Sequence, residues 1–90
     1  MKLTDKVTVS KDAIPKQIGE ETVILHLGSG TYFGLDSVGT RIWQLLAENM
    51  SLEELCSVMS GEYEVERHRL ESEVIRLVSE LQTHDLVKKP

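Results

Sequence analysis

Apolar and polar residues alternate in short runs over the first third of the chain and recur at helical spacing over the rest. Between Ala13 and Asp36 the β-type runs are Ala13 to Ile18, Thr22 to Leu27 and Thr31 to Leu35, punctuated by Gly19-Glu20 and by Gly28-Ser29-Gly30. They predict a three-stranded antiparallel meander. A three-residue turn with Gly30 in the left-handed conformation sets Leu27 opposite Thr31, Leu25 opposite Phe33 and Val23 opposite Leu35, so one face is apolar. On the other face His26 sits across from Tyr32, with Ile24 and Gly34 beside them. Lys6 to Val9 reads as a further short extended piece.

After Asp36 the period becomes helical. Val38, Ile42, Leu45 and Leu46 form the stripe of a first helix ending near Asn49, with Asp36 or Ser37 as N-cap and Trp43 on a neighbouring face. Ser51-Leu52-Glu53-Glu54 is a capping box, because the serine and the glutamate three residues later each satisfy an orphan amide of the first turn. The second helix buries Leu52, Leu55, Cys56 and Met59 and stops at Gly61. A third and longest helix, from Glu66 to about Thr83, carries Leu70, Val74, Leu77, Val78 and Leu81, with Ile75 widening the stripe. Leu86-Val87 folds back. The fold class expected is α+β, a three-stranded sheet followed by three helices.

At 90 residues the chain supports one core, so residues 1–90 form a single domain. Fifteen acidic against ten basic side chains leave a net charge of -5, all of it in the helical half, where residues 46–90 carry ten acids and five bases. That balance disfavours nucleic acid and anionic membrane as partners. No apolar run exceeds three residues, far below the roughly 20 that span a bilayer. The opening residues lack a secretory pattern, and the lone Cys56 excludes an internal disulfide, so the cytosol is the expected compartment. His26, His68, His84 and Cys56 match no zinc spacing, and no nucleophile elbow or cofactor loop occurs; neither a metal, a cofactor nor an enzymatic activity is expected. Gly28-Ser29-Gly30 joins two strands and is read as a turn, not a phosphate loop. Trp43 and Cys56 are read as core. Tyr63 and Val65 are read as plugs at the junction of the last two helices, and His26 as a contact of Tyr32 or of a ligand.

The informative feature is the pair of sheet edges. The first strand is blunted by Pro15, which lacks an amide donor, and by Lys16. The third, Thr31-Tyr32-Phe33-Gly34-Leu35, has neither proline nor charge and is open to strand addition. On the third helix Arg67, Glu71, Ile75, Val78 and Gln82 fall along one flank, an apolar centre with charged and amide margins. An extended peptide between the strand and this flank would take main-chain hydrogen bonds from one and side-chain pockets from the other.

The run from Leu25 to Leu46 resembles the PqqD family of small leader-binding proteins. The resemblance rests on Tyr32-Phe33, Leu35-Asp36, Gly39, Ile42-Trp43, Leu46, Tyr63 and Val65, and covers about residues 7–87. It implies a winged-helix-like recognition element for ribosomally made, post-translationally modified peptides. In such elements the precursor's leader adds to the third strand beside the third helix and is handed to a separate modifying enzyme. That partner would be a radical-SAM enzyme of pyrroloquinoline quinone (PQQ) biosynthesis, or a leader peptidase and cyclase of lasso-peptide pathways. Leu-Gly-Ser-Gly replaces the Pro-Glu-Gly turn of quinone-pathway members, and Asp85 replaces the usual glycine before the last Leu-Val. Two other functions compete: a winged-helix DNA-binding regulator, and a structural subunit that dimerises through the same edge.

Overall fold

The computed structural model describes residues 1–89. In chain order the elements are β1 (Thr8–Val9), β2 (Ala13–Ile18), β3 (Glu21–His26), β4 (Tyr32–Leu35), α1 (Ser37–Leu46), α2 (Leu52–Glu62), α3 (Arg67–Thr83) and β5 (Val87–Lys88). The sheet has the order β2-β3-β4, all antiparallel, and the three helices follow it, as the α+β reading expects. The short extended piece and the returning tail find each other: β1 pairs with β5, Val9 opposite Val87.

The β3–β4 register differs by one residue from that predicted. Thr22 faces Leu35, Val23 faces Gly34, Ile24 faces Phe33 and Leu25 faces Tyr32. The cause is the loop. The His26 ring accepts the Ser29 amide on Nδ1 at 3.1 Å, and the Gly30 amide returns to the His26 carbonyl at 2.8 Å, with Gly30 at φ +72°. His26 and Thr31 thereby close a four-residue loop, Leu27 to Gly30. A slip of one residue exchanges the faces. Thr22, Ile24 and His26 are buried, together with Leu35, while Val23 and Leu25 are only half-buried. Ile14, Leu25 and Tyr32 lie in a row across the outer face, and His26 and Tyr32 point to opposite sides.

The inner face packs on α1. Gly39 permits this approach, since a Cβ there would stand 3.2 Å from Leu35 Cδ2. The Thr40 hydroxyl donates to the Thr22 hydroxyl at 2.9 Å, which satisfies both buried side chains. Asp36 caps α1, its carboxylate accepting the Gly39 amide at 2.8 Å. Val38, expected on the buried stripe, is instead exposed, because α1 turns Gly39, Ile42, Trp43 and Leu46 inward.

The capping box of α2 forms in both directions, Glu54 amide to Ser51 Oγ at 3.1 Å and Ser51 amide to Glu54 Oε1 at 3.0 Å. The next orphan donors, Leu52 and Glu53, give their amides to the Asp5 and Leu3 carbonyls, so the N-terminal segment is laid across the helix start. The helix continues past Gly61 to Glu62, whose carboxylate is held by Arg41 at 2.6 Å; this hydrogen-bonded pairing raises the pKa of Arg41 and lowers that of Glu62. Along α3 the stripe Leu70, Val74, Leu77, Val78 and Leu81 is buried against Ile24, Leu45, Leu55, Met59 and Leu86 in one core.

Candidate functional site

Strand β4 pairs with β3 alone. The His26 amide donates to the Thr31 carbonyl at 2.9 Å, which makes that pair a hydrogen-bonded one. Alternation along an antiparallel ladder then turns Phe33 and Leu35 toward β3 and directs the amides and carbonyls of Tyr32 and Gly34 outward. Gly34 adds no bulk there: a Cβ built on it meets nothing within 4 Å. The opposite edge obeys the same alternation. The Leu27 amide bonds the Asp12 carbonyl, so Ile14 and Lys16 face β3 and the donorless nitrogen of Pro15 faces out.

Beside the open edge runs a groove of about 430 Å³ between β4 and α3. Its floor is apolar, with Phe33 and Leu35 from β4, Ile42 from α1, Met59 from α2, and Leu70 and Leu77 from α3. Its α3 rim carries Arg69, Glu73, Arg76 and Glu80. Arg76 bonds both acids, Glu73 at 3.0 Å and Glu80 at 2.8 Å, and the Glu73 hydrogen bond, ahead of its charge, raises the Arg76 pKa. The Phe33 ring packs against His84, with ring centroids 5.1 Å apart and the planes tilted by 58°.

The structure gathers only part of the predicted set in this groove. Phe33, Gly34 and Leu35 line it. Tyr32 contributes outward main-chain groups while its side chain stands on the outer sheet face, 71% exposed. Thr31 ends the loop, its hydroxyl 2.7 Å from that of Ser29. Of the α3 residues, Arg67, Glu71, Ile75, Val78 and Gln82, none lines the groove. Arg67 turns toward α2, donating to the Glu53 carbonyl and the Ser57 hydroxyl at 3.3 Å each, and pairs with Glu71 at 2.9 Å. Val78 lies wholly in the core, Ile75 packs half-buried against it, and Gln82 is exposed.

The groove uses the adjacent flank. Its signal was present in the spacing of Arg69, Glu73, Arg76 and Glu80, a charged row bordering Leu70 and Leu77. Tyr63 and Val65 also line the groove and are exposed, not plugged into the core, because α2 extends to Glu62 and carries them outward. Cys56 is fully buried, and burial pushes its thiol pKa up, which disfavours the thiolate. No helix among the described residues is long and apolar enough to cross a membrane.

Three comparisons bear on this geometry. Residues 21–87 match the family model described as "Coenzyme PQQ synthesis protein D (PqqD)". A solved structure described as "TbiB1 in Complex with the TbiA(beta) Leader Peptide" is similar at 39% identity and a TM-score of 0.84, over 89% of this chain and 93% of that one. A second, "Lasso peptide synthetase B1 complexed with the leader peptide", is similar at 26% identity and a TM-score of 0.83, over 91% of this chain and 96% of that one. No curated protein matches the chain significantly.

Proposed function

The chain belongs to the PqqD family, and from that premise we propose that it binds the leader of a ribosomally made precursor peptide along β4 and presents it to a maturation enzyme. The observation that carries the reading is the coincidence of an unpaired strand edge with an apolar groove at its side. An extended peptide laid on β4 meets the amides and carbonyls of Tyr32 and Gly34, and every second side chain faces Phe33, Leu35, Leu70 and Leu77. Main-chain bonds supply affinity for any extended chain, and the groove supplies selection. Both similar structures, each described with a leader peptide bound, support this occupant.

The protein performs no covalent step in this reading. It raises the effective concentration of the precursor at an enzyme, either a radical-SAM enzyme of quinone maturation or a leader peptidase and cyclase of lasso-peptide maturation. The similarity to the solved lasso peptide synthetase B1 favours the second. A dissociation constant of about 1 μM corresponds to roughly -8 kcal/mol, within reach of one added strand and a few seated apolar side chains.

The test is a titration with labelled leader from a short precursor encoded in the neighbouring reading frames. Saturable binding that is lost on occluding β4 is expected. A protein that dimerises through β4 and ignores the leader would instead identify a structural subunit.

A further inference from the structure

Resting on the reading of the groove as a peptide site, we propose that its Arg69 end binds a carboxylate of the peptide, next to an apolar side chain seated against Val38, Tyr63 and Val65. Four arginines stand in the chain, and three of them hold carboxylates: Arg41 with Glu62 at 2.6 Å, Arg67 with Glu71 at 2.9 Å, and Arg76 with Glu73 and Glu80 at 3.0 and 2.8 Å. Arg69 alone has no carboxylate partner among the described residues, although it lines the groove.

Its position gives it no ion-pairing role among the described residues. Arg69 lies in the first turn of α3, which itself contains no acidic residue, and its amide bonds the carboxylate of the capping Glu66 just before that turn. The helix dipole presents partial positive charge at that end and disfavours a cation there. Arg67, in the same turn, is compensated by Glu71 and by its contacts with α2. Arg69 makes no such ion pair among the described residues.

A second observation points to a ligand at the same place. Val38, Tyr63 and Val65 are exposed at 39%, 36% and 37%, and all three line this groove. Tyr63 and Val65 lie in the link between α2 and α3, and Val38 lies in the first turn of α1. Toward the other end of α3, Glu73, Arg76 and Glu80 sum to one negative charge. The α3 side of the rim therefore runs from positive to negative, while Asp36, the one other charged residue among those described that lines the groove, is engaged in capping α1. An acid on the peptide is attracted at the Arg69 end and repelled at the Glu80 end, which fixes the direction and register in which the peptide lies.

The probe is a displayed library of random peptides of strand length, fused at both ends so that no terminal carboxylate is present, selected on the wild-type protein, Arg69→Gln and Arg69→Glu. Wild type is expected to enrich Asp or Glu at one fixed distance from an apolar residue. Arg69→Gln should lose that preference and bind the acidic peptides about threefold more weakly, as a solvent-exposed ion pair allows. Arg69→Glu should enrich Lys or Arg at the same position. Neither variant should lower the melting temperature, which separates recognition from a structural role.

Synthetic peptides ending at the selected position, with a free or an amidated C-terminus, distinguish the source of the carboxylate. A preference seen only with the free terminus assigns it to a chain end instead of a side chain. Persistence of the acidic preference in Arg69→Glu overturns the proposal, as does apolar enrichment without any charge preference in wild type and no preference for the free terminus. In that last case the peptide-binding reading survives. Failure of wild type to enrich any extended peptide overturns both.

Discussion

His26 Nε2 lies 3.4 Å from Asp85 Oδ2, joining the root of the β3–β4 hairpin to the turn that follows α3. The other ring nitrogen accepts the Ser29 amide, so in the neutral ring the proton sits on Nε2. Nε2 is buried and forms no hydrogen bond; the Asp85 carboxylate lies close to it but is not aligned to accept. Asp85 holds a left-handed backbone at φ 59°, a conformation aspartate tolerates better than most residues. His26→Ala removes a buried ring and the acceptor that sizes the loop, and should cost about 2 kcal/mol in urea unfolding. A loss under about 0.5 kcal/mol would show that the ring does not hold the loop.

Gly34→Pro tests the open edge. Proline removes one outward amide and is tolerated on an edge strand, where no ladder bond is lost. Leader affinity should fall at least about tenfold, the equivalent of 1.4 kcal/mol, with the melting temperature little changed. Gly34→Ala, whose Cβ meets open space, should bind as wild type. Equal affinity in all three would exclude main-chain pairing at Gly34.

The placement of the groove separates two flanks of α3. Val38→Glu replaces part of the apolar groove wall with a carboxylate and should weaken leader binding by about tenfold or more, because an apolar side chain seated there would have to desolvate it. Glu71→Gln alters the flank turned toward α2 and should leave the affinity unchanged. The opposite ranking, read by fluorescence anisotropy, would return the site to the Arg67 and Glu71 flank.

The strands and helices were legible because glycine turns, a capping box and two clear periodicities mark their limits. The register was not. Val23, Leu25 and Leu27 are more hydrophobic than Thr22 and His26, so alternation alone assigned the wrong face to the core. What decides the matter is one side-chain bond, Ser29 amide to His26 Nδ1, which enlarges the loop by a residue. Which flank of α3 lines the groove was not legible for a related reason. A stripe as wide as Leu70, Val74, Leu77, Val78 and Leu81 has two borders, and only tertiary packing decides which meets α2 and which meets β4. The edge itself depended on local chemistry, Pro15 on one side and an uncharged strand on the other, and was readable without the fold.

Ser51→Ala removes the serine half of the α2 capping box and should cost about 1 kcal/mol in thermal or urea unfolding. The Glu54 half is sensitive to acid. The Ser51 amide, and after it the Ser51 side chain, hold the Glu54 carboxyl below the ordinary glutamate range. A carboxyl lowered in the folded state stabilises above its unfolded pKa, and this contribution is lost as the pH falls through the lowered value. Glu54→Gln should therefore flatten the acid limb of the stability profile, and an unchanged limb would remove Glu54 from it.

Cys56 should resist a thiol reagent in the native protein and react only as fast as the core opens, since the side chain is fully buried and its thiolate is disfavoured. Labelling followed across urea concentration should parallel unfolding. Rapid labelling without denaturant would place the thiol at an accessible site.

Residue-resolved amide hydrogen exchange, with and without leader peptide, reads the β4 edge most directly. Tyr32 and Gly34 should exchange freely in the unliganded protein and become protected on binding, while Phe33 and Leu35, already bonded to β3, change little. Protection appearing at Gln17 on the β2 edge, with Tyr32 and Gly34 unaltered, would contradict strand addition to β4.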